Sequence, residues 1–171
     1  AIWKRKDIAK RMGYLPQGSP CHWPMTVERI VKLGRTPHQS TIFSTDSKKE
    51  DLIEDALKIT HTTHLRHRMV TSLSGGERTL VMIARCLVSR SNLLLADEPV
   101  TGLDPRHQIE IIEALLSSVT KDTGVLIVLH DLSLAVKYCT RLILLHEGRI
   151  ADEGHPVSVL SSKNLADVYG I

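Results

Sequence analysis

From Leu73 onward the apolar positions alternate between two periods. Leu80, Ile83, Ala84, Leu87 and Val88 recur at helical spacing and predict a helix over 75–89. Leu93-Leu94-Leu95-Ala96 is a short apolar run that ends in Asp97-Glu98. A run this short, hydrophobic on both faces, suits a buried parallel strand. Ile109, Ile112, Leu116 and Val119 predict a second helix over 105–119. A second buried strand over 125–129 ends at His130, and a third helix covers about 132–139. Segments 141–145 and 149–153 flank Glu147-Gly148 and predict a terminal hairpin. Strands that alternate with helices argue for an α/β fold with a parallel sheet.

The first 72 residues are patterned differently. A short strand over 11–16 runs into the loop Pro16-Gln17-Gly18. Thr26 can cap a helix over 27–33 that stops at Gly34. Residues 36–46, rich in Ser, Thr and Pro, are loop. Leu52, Ile53, Ala56 and Leu57 predict a helix over 47–59, and His61 to Ser72 is polar. Residues 21–72 therefore read as a separate, mostly helical insert.

Composition narrows the function classes. The chain has 171 residues, 42% hydrophobic and 24% charged, which is ordinary for a globular domain and excludes a disordered one. The net charge of +3 is too mild to indicate nucleic acid. Aromatics are only 4%, so base-stacking platforms are excluded and the core is aliphatic. Cys21, Cys86 and Cys139 are odd in number and far apart, which predicts free thiols. No apolar run is long enough to span a bilayer. His61, His64 and His67 recur every third residue, and the first two could share a helical face, but no Cys or acid completes a metal set.

Three short segments carry candidate chemistry. Asp97 and Glu98 stand at the carboxyl end of a strand, where open α/β sheets bind ligands. Adjacent side chains diverge in extended backbone, so one acid could serve a Mg²⁺ shell and the other polarise a water. Ser74 and Glu77 form a capping box at the start of the 75–89 helix. A capping box does not require Gly75-Gly76. Two glycines let backbone N–H groups approach an anion at the positive helix end. Asp104 and Pro105 fit the N-cap and first position of the next helix. His130 ends a strand, where it could be structural or could donate to a phosphate. Gln17 is, taken alone, a loop residue.

Together and in this order, these pieces resemble the ATP-binding subunit of an ATP-binding-cassette (ABC) transporter over nearly the whole chain. Leu73-Ser74-Gly75-Gly76-Glu77 resembles the family's signature motif, and Leu94-Leu95-Ala96-Asp97-Glu98-Pro99 its Walker B strand. Gln17 falls at the Q-loop, Asp104 in the D-loop and His130 at the switch histidine. The stretch Met25-Thr26-Val27-Glu28-Arg29-Ile30-Val31-Lys32-Leu33-Gly34-Arg35-Thr36-Pro37-His38 is similar to importers of metal chelates: ferric siderophores, haem and cobalamin.

The resemblance implies a P-loop NTPase-type parallel sheet with the helical subdomain at 21–72. It implies a signature-to-switch region over 73–140 and a C-terminal hairpin and tail over 141–171. It implies ATP and Mg²⁺ as ligands, with Asp97 and Gln17 near the metal and Glu98 polarising the hydrolytic water. His130 would touch the γ-phosphate, and Ser74, Gly75, Gly76 and Glu77 would act on the nucleotide of a second, identical subunit. The implied partners are that second subunit, an integral membrane permease and, indirectly, a substrate-binding protein, with no nucleic acid. The implied location is the cytoplasmic face of the inner membrane. Chromosome and DNA-repair ATPases of the same fold insert a long coiled coil between Q-loop and signature. Here only residues 18–72 lie between them, without heptads.

The phosphate loop G-x-x-x-x-G-K-[ST] does not occur. Gly13 and Gly18 have its spacing, but Ser19 and Pro20 stand where Lys and Ser/Thr are required. The expectation is a fragment that lacks the N-terminal part of the fold, folds poorly and hydrolyses ATP negligibly by itself. The alternative is a non-catalytic subunit that retains its dimer and permease-docking surfaces.

Overall fold

The structure is a computed structural model and describes residues 3–18, 21, 23–38 and 47–170. Residues 39–46 of the expected loop, and Ser19 and Pro20 beside the near-match to a phosphate loop, lie outside these. The chain divides into two compact units, Ala1–Val128 and Leu129–Ile171.

The first unit is built on three parallel strands in the order β1 (Met12–Leu15), β2 (Leu93–Asp97) and β3 (Gly124–Val128). The register pairs Leu15 with Ala96 and Ala96 with Ile127. One face of this sheet is closed: Gly13, Leu15, Leu94 and Ala96 are buried. Gly13 is part of β1, so the Gly13–Gly18 spacing belongs to a strand and its following turn. The opposite face is half open, with Tyr14, Leu126 and Val128 each about half exposed. The expectation that 125–129 is a buried strand is therefore corrected. No residue of β3 is buried, because β3 pairs only with β2 among the described residues. An apolar run specifies a strand but not how many neighbours cover it.

Five α-helices belong to this unit among the described residues. They are α1 (Arg5–Arg11), α2 (Val27–Leu33), α3 (Ser47–Ile59), α4 (Gly75–Leu87) and α5 (Pro105–Leu116). α4 is the central one; β1, α2, α3 and α5 all pack on it. It therefore buries residues nearly all round, including Val81, Ile83 and Ala84. α2 and α3 thus share their packing with α4 instead of forming a detached insert. Backbone bonds from Val27 N to Arg68 O and from Val70 N to Met25 O close the segment on itself. Arg66 reaches Glu28, Glu50 and Glu54 at 2.9–3.1 Å and ties α2 to α3.

α2 ends where expected, but for a different reason. Gly34 has right-handed helical φ and ψ (−60°, −19°), so no left-handed turn demands glycine there. A Cβ at 34 would overlap the Arg85 carbonyl and lie 2.6 Å from Val88 Cγ1. Close helix approach is what requires glycine. Arg35 follows and donates to the Val88 carbonyl at 3.2 Å, satisfying an end group of α4. α5 is shorter than expected, since the Ser117 and Ser118 hydroxyls bond back to Glu113 O and Leu115 O and end it. His61 has a positive φ beyond the end of α3, and His64 lies in a 3-10 turn, so they do not share a helical face. Cys21 and Cys86 are buried free thiols, and Cys139 is a half-buried one. The short α1, with Arg11 over the Trp3 ring at 4.4 Å, was not expected from the pattern.

The second unit comprises α6 (Leu132–Tyr138), the antiparallel pair β4 (Leu142–His146) and β5 (Arg149–Gly154), α7 (Pro156–Val159) and α8 (Ser162–Tyr169). The hairpin turn is Glu147-Gly148, both at positive φ (48° and 74°), the twist a tight hairpin requires. Asp131 caps α6 through Ser133 N and Leu134 N. The two short helices after the hairpin occupy what the pattern left as tail. Among the described residues, no helix is long and apolar enough to cross a membrane.

Candidate functional site

The carboxyl ends of β1 and β2 bring together three of the residues singled out from the sequence. Two-residue periodicity puts Tyr14 and Asp97 on the same face of neighbouring strands. The Tyr14 hydroxyl donates to Asp97 Oδ2 at 3.2 Å. Desolvation, then this bond, push the Tyr14 hydroxyl above its ordinary pKa. One residue further on, Glu98 turns away. Its φ is 45°, a left-handed conformation that a residue with a Cβ rarely adopts. The two carboxylates do diverge, but through this backbone turn and not through strand alternation. Gln17 Nε2 donates to Glu98 Oε2 at 2.6 Å, and Thr101 Oγ1 donates to the same oxygen at 3.2 Å. The turn after β1 and the loop after β2 are thereby tied at one carboxylate.

The oxygen donors here suit a hard cation. Asp97 offers a carboxylate, and Gln17, whose NH₂ faces Glu98, has its amide oxygen left to accept. Among the described residues no cluster of three His, Cys, Asp or Glu could hold a metal ion. One carboxylate beside neutral donors matches Mg²⁺, which keeps waters and takes further ligands from phosphates. His130 belongs to the second unit, where it is exposed two residues past the end of β3.

Ser74 and the glycines lie at the start of α4. The capping box forms in both directions: Glu77 N donates to Ser74 Oγ at 3.2 Å, and Ser74 N donates to Glu77 Oε2 at 2.8 Å. The Ser74 backbone N–H is the main reason the Glu77 carboxyl is held below its usual pKa. Ser74 and Gly75 are exposed. Gly76 is buried, and a Cβ there would sit 2.7 Å from Cγ of the His107 ring. The two glycines thus serve separate ends: one faces solvent at the positive helix end, the other admits a side chain from α5.

Asp104 caps α5 as expected, accepting from Arg106 N (3.1 Å) and His107 N (3.2 Å) through Oδ1. Its Oδ2 meets His107 Nδ1 at 2.5 Å, which is the first cause of its depressed pKa. Tyr14, Thr101 and His107 were not singled out from the sequence. His107 stands three residues after its cap, the side-chain-to-cap spacing of a capping box, and could have been found on that ground. Tyr14 required the strand register.

A family model described as ABC transporter matches residues 2–101. The chain is 38% identical over 176 residues to the hemin import ATP-binding protein HmuV of Pseudomonas fluorescens, covering all of this chain and 68% of that protein. It is 36% identical to the ferric enterobactin transport ATP-binding protein FepC of Escherichia coli, covering 97% of this chain and 62% of that protein. Among solved structures, a metal-chelate type ABC transporter in an inward-facing conformation superposes with a TM-score of 0.84 at 30% identity, over 94% of this chain and 64% of that one. The chain spans less than two thirds of the length of most of these relatives.

Proposed function

Since the chain belongs to the ABC transporter family, we propose that it serves as the ATP-hydrolysing subunit of an importer for a metal chelate: a ferric siderophore, haem or cobalamin. The import proteins it is similar to carry hemin and ferric enterobactin in their names, which supports this class of cargo. In this reading the subunit works at the cytoplasmic face of a membrane, docked on a permease through the helical segment within 21–72, and pairs with a second copy of itself.

The observation that carries the reading is the Gln17–Glu98 bond at 2.6 Å beside Asp97. It offers a carboxylate whose direction is fixed by Gln17 and, on the same oxygen, by Thr101. Glu98 would accept the proton of an attacking water, a role that needs an ionised carboxylate in hydrogen-bond reach. Gln17 holds that carboxylate's direction. Its side chain starts from the loop next to the helical segment, so a shift of that segment would change Glu98's orientation. Asp97, held by Tyr14, would hold Mg²⁺ through its water shell. Bound Mg²⁺ supplies neutralisation of phosphate charge. Ser74 and Gly75, exposed at the positive end of α4, would face a γ-phosphate bound to the sister subunit, with Glu77 fixing their turn and Asp104 beside it. His130 would donate to the terminal phosphate of its own subunit's nucleotide.

The test is ATP hydrolysis by the subunit assembled with its permease, with and without Glu98→Gln. A loss of kcat of about 100-fold or more with ATP binding retained is expected. Hydrolysis unchanged by Glu98→Gln would overturn the reading. Uptake of labelled ferric siderophore, haem and cobalamin by the subunit and permease reconstituted in vesicles identifies the cargo.

A further inference from the structure

His107 lies between the Gly75-Gly76 turn and the loop that carries Asp104. Its Nδ1 meets Asp104 Oδ2 at 2.5 Å. A carboxylate at Asp104 only accepts, so Nδ1 carries the proton. The other edge of the ring lies against Gly76. A Cβ added at Gly76 would fall 2.7 Å from His107 Cγ and 3.1 Å from His107 Cβ, and closer still to Cδ2. No flexible chain end is involved; the obstacle is the ring itself, anchored on helix α5.

The loop that carries Asp104 is held from below. Gln108 Nε2 donates to Leu103 O at 3.0 Å, and Leu103 N donates to Val100 O at 3.3 Å. On the other side, Thr79 Oγ1 donates to Gly75 O at 3.1 Å, anchoring the glycine turn to α4. Leu103 Cδ2 would lie 3.4 Å from a Cβ at Gly75. The imidazole is therefore a rigid spacer between two braced segments, bonded to one and packed on the other.

We propose that His107 is a positioning residue that sets the separation of the Gly75-Gly76 turn from Asp104, its ring acting as the spacer and its Nδ1–H as the tie. This rests on the reading of residues 74–76 and 104 as nucleotide-facing elements. Placement errors of an ångström or so in such elements lower turnover steeply. Shortening the ring to a methyl lets the turn and the Asp104 carboxylate drift independently. Asparagine at 107 keeps a donor close to the Nδ1 position and restores the tie.

The experiment compares wild type, His107→Ala and His107→Asn in the subunit assembled with its permease, with Glu98→Gln as the control. His107→Ala is expected to lower kcat about tenfold while the KM for ATP stays within about twofold. His107→Asn is expected to recover most of that loss. Hydrogen–deuterium exchange over 73–78 and 101–107 should quicken in His107→Ala and return toward wild type in His107→Asn, with the melting temperature little changed. Wild-type kcat in His107→Ala overturns the proposal. So does an Asn variant no better than Ala, or a kcat loss that follows a matching fall in melting temperature. In each of those cases hydrolysis still sensitive to Glu98→Gln leaves the functional reading standing. Hydrolysis indifferent to Glu98→Gln overturns that reading, and this proposal with it.

Discussion

Gln17 and Glu98, on different loops, meet at 2.6 Å because Glu98 leaves the strand in a left-handed conformation (φ 45°). Had it stayed extended, its carboxylate would have pointed to the buried face shared by Leu94 and Ala96. The backbone turn brings it to the rim instead. A residue with a Cβ bears about 1–2 kcal/mol of strain in that conformation. Strain of this kind gathers at functional sites.

That strain is measurable. At position 98 glycine should be more stable than alanine by about 1 kcal/mol in denaturant unfolding, the reverse of their usual order. Both variants remove the carboxylate, so the comparison isolates the backbone. Equal stability of the two would remove strain from the account.

Gly34 answers to space, not to conformation. Gly34→Ala should cost about 1–3 kcal/mol in urea unfolding, since its Cβ meets the Arg85 carbonyl and Val88 Cγ1. Gly18→Ala is the contrasting case. Gly18 has φ 67° and nothing within 4 Å, so the cost there is the left-handed backbone alone, about 1–2 kcal/mol. A Gly34→Ala protein as stable as wild type would mean α2 and α4 can separate freely.

Glu77 makes the capping box sensitive to acid. Its folded carboxyl titrates below the ordinary range, first through the Ser74 backbone N–H, then through the Ser74 side chain and Arg68. The unfolded chain therefore binds the proton first as pH falls. The stabilisation is complete above the ordinary glutamate pKa and disappears as pH drops through the depressed one. Ser74→Ala should cost about 1 kcal/mol at neutral pH. Glu77→Gln should flatten this part of the acid limb, measured as melting temperature against pH. An unchanged limb would exclude Glu77 as its source.

Arg66 links three carboxylates across α2 and α3. Its bond holds Glu28 below the usual carboxylate pKa, so this contribution too is present at neutral pH and lost in acid. Arg66→Met, which keeps the packed stem, should cost about 1 kcal/mol, and less at high salt. Thermal melts at two ionic strengths check it. A salt-independent cost would point to packing instead of charge.

Much of this was legible in the linear chain because local rules decide it. Ser74, Asp104 and Pro105 announce helix starts, since a cap needs only its own three or four residues. Glu147-Gly148 announces a hairpin for the same reason. The order of Gln17, Ser74-Gly75-Gly76, Asp97-Glu98, Asp104 and His130 was enough to recognise the family. The exposure of β3 was not legible, because an apolar run carries no record of its neighbours. Nor were the helices at 156–159 and 162–169, which are too short for periodicity to declare.

What the amino-acid order determined alone was which residues begin and end elements, and which chemical groups stand at strand ends. Those are interactions within a few residues, and they survive in any fold that keeps the elements. Tertiary structure decided the pairings: Tyr14 with Asp97, Gln17 with Glu98, and His107 with both Asp104 and Gly76. Each depends, at least in part, on strand register, on a backbone turn at one residue, or on the distance between two helix axes. No local pattern encodes those quantities, because they are set by how the buried faces of β1, β2, α4 and α5 fit against one another.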